Sequence, residues 1–138
     1  MNEETQKEFN TFLEKWTDTP EQNKKAFLRL RDHLAAKAGV ELDFKARPGV
    51  TYSLRGVHEN QKDKDLFVMA DVIEDEPRWL SVCFYGEMVK DPDELGDFVP
   101  EGLLGEDAMC FDVDSWDEEL LQYIEVRLDE AAESAAKG

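Results

Sequence analysis

Val40-Glu41-Leu42-Asp43-Phe44-Lys45-Ala46-Arg47-Pro48-Gly49-Val50-Thr51-Tyr52-Ser53-Leu54 decides the fold. Val40, Leu42 and Phe44 alternate with Glu41 and Asp43, which is the period of two of a half-buried strand. Arg47-Pro48-Gly49 is turn chemistry, and Val50, Tyr52 and Leu54 then alternate with Thr51, Ser53 and Arg55 in a second strand. A strand, a tight turn and a returning strand make an antiparallel hairpin.

Upstream of Val40 the period is helical. Phe9, Phe12, Leu13 and Trp16 fall on one face of a helix over about 3–16. Thr17-Asp18-Thr19-Pro20 stops and restarts the chain, with Thr19 and Gln22 spaced as a capping box and Pro20 at the first helical position. A second helix then runs to about Ala38, turning Phe27, Leu30, Leu34 and Ala38 inward, and Gly39 supplies the left-handed terminating residue.

Downstream, a polar connection over 58–65 leads to a third strand, Leu66 to Ile73, and an acidic turn at 74–77 leads to a fourth, Arg78 to Tyr85. Both are apolar at successive positions, so both are expected to be central and covered on two sides. Residues 86–107, punctuated by Pro92, Gly96, Pro100, Gly102 and Gly105, read as a long loop, and a connection of that length points to a wrapped or functional segment. A fifth strand, Ala108 to Val113, precedes a helix over 115–136. Ser115 and Glu118 are spaced as its capping box, and Trp116, Leu120, Ile124, Leu128, Ala131 and Ala135 form its buried stripe.

The expectation is one α+β domain over 1–138: a helical part (1–38), an antiparallel sheet of about five strands with the long loop (40–113), and a C-terminal helix (115–136). The helices pack mainly on one face. With 41% hydrophobic residues, including eight Phe, three Trp and three Tyr, the chain can bury a core. No apolar run reaches the roughly 18 residues of a membrane span, and Met1-Asn2-Glu3-Glu4 lacks the basic start of a signal peptide, so a cytoplasmic location without membrane contact is expected.

The net charge of −17 is unevenly spread: residues 1–73 carry 13 acids and 12 bases, residues 74–138 carry 20 acids and 4 bases. That field disfavours direct nucleic-acid binding and favours a basic partner. Cys83 and Cys110 lie in separate apolar segments without CxxC or His neighbours, and read as two buried free thiols. Asp91-Pro92-Asp93-Glu94-Leu95-Gly96-Asp97 begins like a calcium loop, but Leu95 and Gly102 stand at ligand positions, so the reading is a solvated acidic loop and no metal site. His33 and His58 have no nucleophile partner and read as exposed, and no phosphate-binding glycine motif or other cofactor signature is present.

Residues 44–58 contain no acid and carry Lys45, Arg47 and Arg55. Arg47, Tyr52 and Arg55, with Trp79 and Tyr85 nearby on a strand face, form a candidate anion-binding site, although a charged hairpin edge explains the same bases. Trp79, Cys83 and Tyr85 would alternatively line a dimer surface if the helices leave their face open.

The helix ending in Leu28-Arg29-Leu30-Arg31, the Phe44 to Tyr52 segment with Pro48, Phe84-Tyr85-Gly86, Lys90-Asp91-Pro92, Leu103-Leu104-Gly105 and Asp114-Ser115-x-x-Glu118 together resemble the YdhG-like bacterial family of unknown function over about 24–132. That resemblance implies a compact α+β fold and carries no catalytic residues. Pro48-Gly49-Val50-Thr51 is also similar to the MmcQ/YjbR-like proteins, whose Phe-Gly and Lys-Met-Phe signatures are missing here, and an acidic α–β–α chain is distantly similar to frataxin. The leading functional expectation is a small acidic interaction module without catalytic activity, whose partner is a basic protein surface or a second copy. The alternatives are an anion-binding protein or enzyme using the 45–58 hairpin, and an acidic DNA mimic.

Overall fold

The computed structural model describes residues 1–138, ordered as α1 (Glu3–Lys15), α2 (Asn23–Ala35), β1 (Val40–Arg47), β2 (Thr51–His58), β3 (Val68–Ile73), β4 (Trp79–Tyr85), β5 (Asp97–Leu103), β6 (Glu106–Val113) and α3 (Glu118–Ala136). The six strands form one antiparallel sheet in the order β1-β2-β3-β4-β6-β5. The α+β class and the helices at both ends are as the sequence indicates.

Local chemistry sets the helix boundaries, and at two of them it differs from the capping-box reading. Asn2 caps α1 by accepting from the Thr5 N–H at 2.7 Å. Before α2, Gln22 adopts a left-handed conformation and provides no side-chain cap. Asp18 takes the role instead, its side-chain oxygen accepting from the N–H groups of Thr19 and Lys24. At α3 the cap is Asp117, which accepts from Leu120 N–H at 3.1 Å, while Glu118 turns to Arg29 at 2.8 Å. Helix α2 stops at Ala35, and Gly39 follows at φ +77°, so close to His58 that a Cβ would lie 2.8 Å from its imidazole. Position 39 therefore needs glycine for conformation and for space.

All three helices cover one face of the sheet. Phe9, Phe12, Phe27, Leu30, Leu34, Leu121, Ile124 and Leu128 pack there against Leu54, Val72, Leu80, Val82, Phe84, Phe111 and Val113. Buried Asn23 donates to the carbonyls of Arg78 (2.8 Å) and Asp114 (3.1 Å), fixing the start of α2 to one end of the sheet.

The other face corrects the expectation that β3 and β4 are covered on both sides. It carries Met69, Asp71 and Ile73 from β3 and Trp79, Ser81 and Cys83 from β4, all half-buried. Only one end is sealed, by a small second core of Leu66, Tyr85, Leu103, Ala108 and Cys110. The two cysteines are not free. They stand directly opposite in the β4–β6 register and form a disulfide with Cα atoms 4.1 Å apart. A 27-residue sequence separation hid a contact that strand pairing creates.

The supposed loop 86–107 holds a 3-10 turn (Gly86–Met88) and the sixth strand, β5. Pro100 and Gly102 interrupt its alternation, and the pairing to β6 is shifted between Val99 and Leu103. An edge strand tolerates such a proline. The β5–β6 turn is Leu104-Gly105, both at positive φ (50° and 85°), the geometry of a two-residue hairpin in which Asn would be the usual first residue. His58 is also placed differently from the reading: it is buried, and its Nδ1 accepts from Asn60 N–H at 3.1 Å. His33 packs against Glu125 and Asp129 of α3.

Candidate functional site

The residues singled out as an anion site do not converge. Tyr52 points to the helix side, stacks on Phe12 at 4.4 Å and donates its hydroxyl to Glu74 at 3.2 Å. Glu74 also receives Arg78 through two contacts of 2.8 and 3.0 Å, while the Arg78 guanidinium lies over Tyr52, Phe12 and Trp16. Those charges are mutually satisfied. The Arg78 guanidinium and the Tyr52 hydroxyl hold the Glu74 carboxyl below its usual range, against a smaller opposing effect of burial.

Arg47, Arg55 and Trp79 project from the opposite, open face. Arg55 Nε donates to Ser53 Oγ at 3.2 Å and stands opposite Asp43 in the register. Arg47 pairs with Thr51, four residues from Arg55 along the edge, a separation of about 13 Å at strand rise. Tyr85 is 3% exposed, with the Lys64 ammonium 4.6 Å from its ring centroid.

A different segment combines exposure, charge and a rigid mount. Residues 91–107 carry seven acids and no base. Among them stand four exposed large apolar side chains: Phe98 (59%), Leu104 (56%), Leu95 (51%) and Val99 (37%). The four lie within the stretch 95–104 at the edge of the sheet, with Phe98 and Val99 on opposite faces of β5.

The hairpin is mounted on α3 through Asp91. Tyr123 donates its hydroxyl to Asp91 Oδ1, and the backbone N–H groups of Leu95 (3.0 Å) and Gly96 (2.9 Å) donate to the same carboxylate. Asp93 N–H closes the arrangement onto the Tyr123 oxygen at 3.2 Å. Burial alone would raise the Asp91 pKa, but these donors outweigh it and hold the carboxyl below its usual range. Next to it, Lys90 N–H donates to Glu130 at 3.0 Å, and the Arg127 guanidinium lies over Tyr123 at 4.3 Å and pairs with Glu130 at 2.8 Å. Gly96 is needed for space, because a Cβ would come within 2.9 Å of Met109 and Phe111.

Asp91, the first position of the calcium-like motif, is thus committed to backbone and tyrosine donors. Nowhere in the fold do three or more His, Cys, Asp or Glu side chains assemble into a group able to hold a metal ion. No helix is long and apolar enough to cross a membrane. The sequence points to 86–107 as a wrapped or functional segment; what it obscures is the exposure of Phe98 and Leu104, because a broken period gives no face assignment.

No protein-family model matches the chain, and neither a curated protein nor a solved structure matches it.

Proposed function

We propose that the protein is a non-catalytic interaction module that docks on a basic, partly apolar protein surface through its 91–107 hairpin. The observation that carries this reading is the coincidence of seven acids and four exposed apolar side chains on one mounted edge. Acids steer a cationic partner toward the edge, and the apolar residues supply the desolvated centre that steering alone lacks. The anion-receptor alternative needs convergence of groups that lie on opposite faces or about 13 Å apart, so the hairpin is the better-supported site. A cytoplasmic setting remains part of this proposal; in a reducing compartment Cys83 and Cys110 would stand as two thiols in the same register.

The test uses a cationic amphipathic Lys/Leu peptide as probe, titrated calorimetrically against the full chain and against Phe98→Ser/Leu104→Ser. Both positions are exposed, so the variant should keep its fold. Affinity is expected to fall roughly tenfold or more in the variant. Equal affinity for both proteins would overturn the hairpin as the docking site.

A further inference from the structure

The uncovered sheet face is a second surface, and its charges are arranged in rows. One row across the sheet reads Arg47, Thr51, Ile73, Trp79, and Asp114 follows directly after the last β4–β6 pair, Leu80 with Val113. The next reads Lys45, Ser53, Asp71, Ser81, Asp112. These two rows begin with a base on β1 and end with an acid on β6 or just past its end, around half-buried Ile73 and Trp79, whereas the next row, Asp43, Arg55, Met69, Cys83, Cys110 and Asp97, begins and ends with an acid. All four terminal charges of the first two rows are exposed, and none of them takes part in an ion pair within the chain.

We propose that this face is a self-complementary interface on which a second copy of the chain docks sheet against sheet as an isologous dimer. A two-fold axis parallel to the strands and lying over β3 reverses the strand order of the second copy and preserves the rows. The β1 side of each copy then meets the β6 side of the other. Arg47 and Lys45 face Asp114 and Asp112 of the second copy, twice over, while Ile73 and Trp79 close the apolar middle. Face-to-face packing of twisted sheets at about 30° accommodates this arrangement.

One further observation supports it, and one sets a condition on it. Asp112 lies near Asp97 and Asp114, and no base of the chain pairs with it; partial burial first, and then these two like charges, hold its carboxyl above the usual range. Asp71, in the middle of its row, lies on the proposed axis and faces Asp71 of the second copy, with Ser53 and Ser81 of the two copies opposite each other on either side, so the two carboxyls must share a proton for the sheets to close. The dimer does not depend on the hairpin reading, since neither Phe98 nor Leu104 belongs to these rows.

Sedimentation equilibrium of the full chain at about 0.15 M salt tests the proposal, from about 1 μM to about 1 mM. A reversible dimer is expected, weakened about tenfold or more in Lys45→Glu/Arg47→Glu and likewise in Asp112→Lys/Asp114→Lys. The second variant makes the chain four units less negative, so relief of overall repulsion would strengthen association, and only loss of local pairing can weaken it. Mixing the two variants in equal amounts should restore a dimer, because each base-to-acid contact is then re-formed with its partners exchanged. A wild-type chain that stays monomeric throughout, a dimer indifferent to both variants, or a mixture that fails to associate would each overturn it.

Discussion

Asp71 shows how one half-buried carboxylate can work against the fold that holds it. Burial pushes its carboxyl above the usual range, and the Ser53 hydroxyl and Arg55 charge only partly oppose this. Between the unfolded value near 3.9 and the raised folded value, the native state binds more protons than the unfolded chain. Stability therefore falls as pH rises through that window. Asp71→Asn should stabilise the protein by about 1 kcal/mol at pH 7 and have little effect below about pH 3. Urea denaturation at both pH values checks this, and a destabilised variant at pH 7 would contradict it. Asp91 has the opposite sign: its depressed carboxyl contributes stability above the unfolded pKa that is lost as pH falls through the folded one. Removing the donor in Tyr123→Phe should cost about 1 kcal/mol and speed amide exchange at Leu95 and Gly96, which hydrogen-exchange NMR would show.

At the level of elements, the disulfide and the hairpin make separate demands. Cys83 and Cys110 bridge strands whose ladder already holds them together, so the bond is an addition to the sheet rather than its cause. Chain-entropy reasoning for its 27-residue loop puts the stabilisation near 3.5 kcal/mol. Reduced protein should keep its native circular dichroism and lose up to about that much stability; collapse of the sheet on reduction would contradict this account.

The parts of the fold legible in the sequence are those where period and turn chemistry agree. Val40 to Leu54 alternates around Arg47-Pro48-Gly49 and forms β1 and β2 as read. The edge strand was not legible, because Pro100 and Gly102 break its alternation and Leu104 occupies a left-handed turn position that usually signals Asn. The open face of β3 and β4 is not legible in the sequence for a related reason. Met69, Ile73 and Trp79 are as apolar as a second core layer, and only the placement of all three helices on one side shows that nothing in the monomer covers them. The hairpin site was partly legible: its length and acidity marked it, but its exposed apolar side chains could not be assigned a face.

Across the whole molecule, 20 of the 33 acids lie after residue 73, where they are opposed by 4 bases. Such a field accelerates encounter with cationic surfaces and is screened as the Debye length shrinks from about 30 Å at 0.01 M to about 3 Å at 1 M. Binding of the Lys/Leu probe should therefore weaken with salt mainly through a slower association rate, while the apolar contacts of Phe98 and Leu104 leave residual affinity at high salt. Stopped-flow rates at several ionic strengths would check that division, and an association rate indifferent to salt would contradict it. The central claim, that contact is made by the 91–107 edge and not by the acidic surface as a whole, is tested most directly by amide chemical-shift mapping during the same titration. The account predicts the largest shifts at Leu95 to Leu104, with the exposed acids of α3 little affected; shifts spread evenly over the acids of α3 and the hairpin would contradict it.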